Sequence, residues 1–225
     1  MDREQVRQRI EDVGVIPAVR VSSPHDALFV AEAVSSGGIP IVEITMTVPG
    51  ALDVVREMAR SRTDVIVGAG TVLDEESARE ALDAGAHFLT STGYDEGMIR
   101  VAADAQVVVL PGVLTPTEVI RAWKAGCDFV KIFPCAQVGG ASYIKALKTP
   151  LPRVRMIASG GVNQQTAAEF VLAGATALGV GGALVPASAI RQHQPHWISE
   201  LARRFVHIVK EARSRKQEEP ASVGA

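Results

Sequence analysis

Short runs of β-branched and aliphatic residues alternate along the chain with longer stretches whose apolar positions return every three or four residues. The runs are Val15–Val19, Ile41–Thr45, Val65–Val67, Phe88–Thr90, Val107–Leu110, Phe129–Phe133, Val154–Ala158 and Ala177–Val180. Between and after them lie helical patterns at His25–Ser35, Ala51–Arg60, Glu75–Ala84, Glu96–Ala103, Pro116–Ala125, Ser142–Lys148, Gln164–Ala173 and Trp197–Ala212. Strict strand–helix alternation predicts parallel strands joined by crossover helices. Glycines in Ala84-Gly85-Ala86, Ala125-Gly126-Cys127 and Ala173-Gly174-Ala175 stand where a helix should stop before the next strand. Repetition of the unit without a change of composition predicts an α/β fold, a single parallel (β/α)₈ barrel over residues 1–213. The polar stretch 214–225 is expected to be a frayed tail.

Composition fits that picture. Of 225 residues, 47% are hydrophobic but only 4% aromatic, so the core must be aliphatic, as helix-covered parallel strands require. The formal net charge of −2 gives no pull toward nucleic acid or an anionic membrane. No uncharged apolar run approaches the roughly 20 residues of a membrane span, and Met1–Ile10 is too charged for a secretory leader. Cys127 and Cys135 form no CxxC pair, and the five histidines fall away from the strand ends. These features predict a cytoplasmic protein with no metal site and no cofactor.

In such barrels the chemistry sits where the strands end. Period-2 alternation puts Glu43 on one face with Ile41 and Thr45, and Lys131 on one face with Phe129 and Phe133, so both charges should point into the barrel. Of six lysines, only Lys131 lies within an apolar strand. A structural ion pair would explain both residues. A Schiff-base site explains them as well: a desolvated lysine amine attacks a ketone, the iminium accepts electrons when a carbon–carbon bond breaks, and a nearby carboxylate moves protons. Arg20 closes the first strand and suits a carboxylate ligand. Gly68-Ala69-Gly70-Thr71-Val72 lets a ligand approach the backbone and offers a hydroxyl, although a plain turn accounts for it too. Ser159-Gly160-Gly161 and Gly179-Val180-Gly181-Gly182, with Asn163 as a helix N-cap, match an anion site after the last two strands. Cys135 follows the lysine strand and is read as a packing residue.

Together, Val42-Glu43-Ile44-Thr45, Gly68-Ala69-Gly70-Thr71-Val72, Pro111-Gly112-Val113-Leu114-Thr115-Pro116, Lys131-Ile132-Phe133-Pro134 and Ser159-Gly160-Gly161-Val162 resemble the 2-keto-3-deoxy-6-phosphogluconate / 4-hydroxy-2-oxoglutarate aldolases. The resemblance runs in order from about Val15 to Pro186. It implies a metal-free homotrimeric lyase that cleaves a 2-keto-3-deoxy sugar acid to pyruvate and an aldehyde. It also implies a Schiff base on Lys131, proton transfer by Glu43, a carboxylate contact from Thr71, and a distal phosphate on Gly160-Gly161 and Gly181-Gly182. Pro111 and Phe133 would line the apolar wall. The chain departs from the family at Thr47, where some members carry arginine and for which Arg20 is the candidate substitute. It departs also at Thr92, often proline, and at Gly182, often serine. Two competing functions share the same residues: a phosphosugar isomerase or epimerase using Glu43 without covalent chemistry, and a non-catalytic sugar-acid-binding barrel. A decarboxylase using the same iminium is a further possibility.

Overall fold

A computed structural model describes residues 1–218. Its strands, all parallel, are β1 (Val15–Val19), β2 (Ile41–Thr45), β3 (Ile66–Gly70), β4 (Phe88–Thr90), β5 (Val108–Leu110), β6 (Gly112–Val113), β7 (Val130–Ile132), β8 (Met156–Ser159) and β9 (Ala177–Val180). Their order, β5-β4-β3-β2-β1-β9-β8-β7-β6, runs around a closed wall, because β5 and β6 are halves of one strand broken at Pro111. Proline has no N–H to give the ladder, so continuous pairing stops there. The halves look opposite ways, β5 pairing with β4 and β6 with β7. Backbone bonds carry the wall across the break: Ser91 N–H to Leu110 O (3.2 Å), Gly112 N–H to Gly93 O (3.0 Å) and Lys131 N–H to Pro111 O (2.9 Å). The predicted barrel is therefore observed, with one interrupted strand.

The helices follow their punctuation. Ser23 caps α2 (Pro24–Ser36), Asp74 caps α4 (Glu75–Asp83), Asp95 caps α5 (Glu96–Asp104), and Thr115 with Glu118 forms a capping box on α6 (Pro116–Lys124). The remaining crossover helices are α3 (Ala51–Ser61), α7 (Ala141–Lys148) and α8 (Ala167–Leu172). The latter begins three residues later than the sequence pattern suggests. Asn163 first closes a turn, its Oδ1 accepting from Gln165 N–H (2.9 Å) and Thr166 N–H (3.0 Å), so it caps that turn and not the helix itself.

Two α-helices are absent from the sequence reading. The first, α1 (Arg3–Val13), buries only Val6 and Ile10, too thin an apolar stripe to register as a pattern. It is tied to the strand-start end of the barrel by Arg3, whose guanidinium meets Asp128 at 3.0 Å while Asp128 also accepts from Val109 N–H. The second is the short α9 (Ala187–Arg191). The final helix, α10 (Pro195–Glu218), corrects the expected tail: residues 214–218 continue it, with Arg215 and Lys216 placed favourably against the negative end of its dipole. The remainder of the expected tail, 219–225, lies outside the described residues. Among the described residues no helix is long and apolar enough to cross a membrane.

β3 also runs further than Val65–Val67, through Gly70. Its glycines are strand residues because the barrel interior leaves no room for side chains there. A Cβ on Gly68 would enter the Phe88 ring, and one on Gly70 would enter the Glu43 carboxylate. What looks like a loop composition is the imprint of two large neighbours.

Candidate active site

The register fixes which side chains face inward. Ala18 pairs with Glu43, Glu43 with Gly68, Gly68 with Phe88, Lys131 with Gly112, and Ile16 and Ser159 with Gly179, so these positions share the interior face. Above this layer, at the C-terminal ends of the strands, lies a cavity of about 490 Å³. Glu43 and Lys131 form its floor, at 4% and 6% exposure. The Lys131 Nζ lies 3.6 Å from Glu43 Oε1 and donates to Thr90 Oγ1 at 3.2 Å. It also sits 5.8 Å from the centre of the Phe133 ring, near enough for a cation–π contact. A buried charged pair is thus held in an otherwise apolar layer, open on one side to the cavity.

Of the residues singled out in the sequence, Arg20, Thr71, Phe133, Ser159, Gly160, Gly161, Gly181 and Gly182 join Glu43 and Lys131 around this cavity. Arg20 is exposed at the rim. Thr71 follows β3 in the left-handed backbone region, φ 59°, which β-branched residues strongly avoid. Its neighbours hold it there: Gly70 O accepts from Met46 N–H (2.7 Å), and Val72 N–H donates to Thr90 O (3.1 Å).

The two glycine pairs differ in kind. Gly160 and Gly161 have φ of +86° and +84°, and a Cβ on Gly161 would overlap Ala136, so backbone and packing alone demand glycine. The chain after β7 is laced to this turn by Cys135 N–H to Ser159 O (2.8 Å) and Ala136 N–H to Gly160 O (3.0 Å). Gly182 meets nothing within 4 Å of an added Cβ, and Gly181 only Ala18 O at 4.0 Å. Nothing among the described residues requires glycine at these two positions; what the missing side chains leave open is the cavity.

Pro111 is not among the lining residues. Thr90 pairs with Leu110 and Lys131 with Gly112, so the intervening Pro111 turns to the opposite, helix-covered face. It reaches the site only through its carbonyl, which holds the Lys131 backbone. Cys135 is buried behind the wall, its thiol pushed up to about 11 by desolvation, and is a packing residue. Thr47 is exposed and exchanges a hydroxyl contact of 2.8 Å with Thr45. Thr92, like Thr45, lines the cavity and makes that wall polar. Sequence reasoning gave no role to Thr90, although alternation from Phe88 places it inward. Among the described residues no group of three or more His, Cys, Asp and Glu side chains is placed to hold a metal ion.

The arrangement is suited to carbonyl chemistry: an amine, a carboxylate with lone pairs facing the cavity, and a ring of hydroxyls. The comparisons with known proteins agree. A family model described as KDPG and KHG aldolase matches residues 6–201. The chain is 34% identical over 203 residues to the 2-dehydro-3-deoxy-phosphogluconate aldolase of Treponema pallidum (strain Nichols), spanning 90% of this chain and 96% of that one. It is 32% identical over 197 residues to the KHG/KDPG aldolase of Escherichia coli (strain K12), spanning 87% and 92%. Its fold matches that of the KDPG aldolase from Legionella pneumophila, solved with pyruvate captured as a covalent carbinolamine, with a TM-score of 0.82, 29% identity, and coverage of 88% of this chain and 96% of that one. On the sequence match, the fold and the floor of the cavity together, the chain belongs to the KDPG and KHG aldolase family of lyases.

Proposed function

We propose that this protein is a class I aldolase that reversibly cleaves a 2-keto-3-deoxy sugar acid to pyruvate and an aldehyde. The observation that carries the reading is the buried Lys131–Glu43 pair, 3.6 Å apart, at the floor of the cavity at the barrel's strand ends. The neutral amine of Lys131 adds to the C2 ketone, and loss of water from the carbinolamine gives an iminium. Glu43 takes the proton of the C4 hydroxyl as the C3–C4 bond breaks. The bonding pair moves into the iminium, giving an enamine and the free aldehyde. Protonation at C3 and addition of water then release pyruvate and restore the amine. Arg20 and Thr71 would hold the C1 carboxylate, with Phe133 as an apolar wall, and the open corner at Gly181 and Gly182 beside Ser159-Gly160-Gly161 would take the distal end. On the composition we read the enzyme as cytoplasmic, and on the family resemblance as a homotrimer of carbohydrate metabolism.

The test of the mechanism is reduction by borohydride in the presence of pyruvate, followed by peptide mass spectrometry. The expected product is a single reduced adduct on Lys131; an adduct on another lysine, or none, sinks the proposal. The distal end is tested separately, by comparing cleavage of 2-keto-3-deoxygluconate with and without a 6-phosphate. The phosphorylated substrate is expected to have a kcat/KM about 100-fold higher, a modest gain for an anion held by backbone donors without a serine hydroxyl at Gly182. Equal values would remove phosphate from the reading and leave the aldolase intact.

A further inference from the structure

We infer that Thr90 is a positioning residue for the Lys131 amine, holding the nitrogen off Glu43 and setting the plane of the iminium. The inference rests on the Schiff-base reading above and concerns a residue outside the cavity wall. Lys131 Nζ has two polar neighbours, and the neutral one is the nearer: Thr90 Oγ1 at 3.2 Å against Glu43 Oε1 at 3.6 Å. An unrestrained ammonium beside a carboxylate in a dry pocket closes to about 2.7–2.9 Å. Here it stands off.

The hydroxyl can enforce this because it is fixed. Thr90 is 1% exposed and ends β4. Below it on the same face, Phe88 fills the space left by Gly68. Its carbonyl accepts from Val72 N–H at 3.1 Å, and its strand pairs with Leu110. β4 does not adjoin β7, so Thr90 reaches the amine across the barrel interior.

The consequence concerns where hydrogens go. The ammonium carries three N–H bonds, and the iminium keeps one. A lone N–H directed at Thr90 Oγ1 fixes the plane of the trigonal nitrogen, and with it the face of the C2–C3 bond that meets the aldehyde. Thr90 neither gives nor takes a proton in this scheme. It leaves the Glu43 carboxylate free for the C4 hydroxyl, where a closed ion pair would occupy that carboxylate with the lysine.

Thr90→Val keeps the shape and removes the acceptor. We expect kcat for cleavage to fall about tenfold, the value of one hydrogen bond to a charged group, with KM changed less than about twofold. Borohydride trapping of pyruvate should slow in proportion. Thr90→Ser, which restores the hydroxyl, should return kcat to within about threefold of the parent. A purely structural role would lower the melting temperature of Thr90→Val while leaving kcat per folded enzyme unchanged, and that result would overturn the inference. So would failure of Thr90→Ser to recover activity in a folded protein. If the parent enzyme itself forms no adduct on Lys131, the Schiff-base reading falls and takes this role with it. If the parent does form it and Thr90→Val turns over undiminished, the role of Thr90 alone is lost.

Discussion

Replacing Lys131 with arginine is expected to reduce cleavage by roughly four orders of magnitude or more, the scale on which removing a covalent nucleophile acts. Arginine retains the positive charge opposite Glu43, so the variant avoids leaving a carboxylate buried and unpaired, a change that costs about 3–5 kcal/mol. Its guanidinium stays protonated and cannot add to a ketone. Steady-state assay of pyruvate release, with circular dichroism to confirm folding, measures the effect. Isomerase or epimerase chemistry, in which Glu43 works without a covalent intermediate, predicts the opposite: activity surviving Lys131→Arg. A binding protein predicts no pyruvate release from the parent chain. The parent chain and this one variant, assayed for pyruvate release and for phosphosugar isomerisation, therefore separate the three functions.

The second large effect is expected at Glu43. Glu43→Gln preserves size and the hydrogen-bonding reach to Lys131 but removes the proton acceptor, and should lower kcat by about 10²–10⁴-fold, the range for a positioned general base. Glutamine also leaves the strand geometry intact, since Gly70 makes room for a side chain of that length. Exchange of the pyruvate methyl hydrogens in deuterated water, followed by NMR, isolates the step. Exchange requires Lys131 to form the iminium and a base to shuttle the C3 proton. In Glu43→Gln it should slow as much as cleavage does. A loss of less than about tenfold in both would reduce Glu43 to a counter-ion for the lysine, as far below the usual range for a general base.

How much of this was readable in the sequence follows a physical line. Glu43 and Lys131 were visible because a charge inside a short aliphatic run violates the pattern around it, and period-2 alternation then says which way it points. The barrel was visible because its unit repeats. The residues that were passed over or misplaced owe their roles to partners in other strands. Thr90 is an ordinary strand residue whose importance comes from a neighbour 41 positions away. Pro111 lies in a motif of the family, yet the register of two different strands turns it away from the cavity. Gly68 and Gly70 looked like a loop because the reason for them, Phe88 and Glu43, belongs to other strands. The helix α1 was hidden by its charge, since two buried residues hold it to the barrel.

Thr71 stands in a backbone conformation that a glycine would adopt freely, three residues after Gly68 and one after Gly70. Holding a β-branched residue there costs about 1–3 kcal/mol of folding free energy. Selection for robustness alone would have carried the glycine run one residue further. The chain instead keeps a hydroxyl whose direction is dictated by a backbone that cannot relax, at the lip of the cavity. On the proposed carboxylate contact of Thr71, thermal endurance and ligand capture are opposed at this position, so a library screened only for heat resistance should drift toward glycine here and lose affinity as it does.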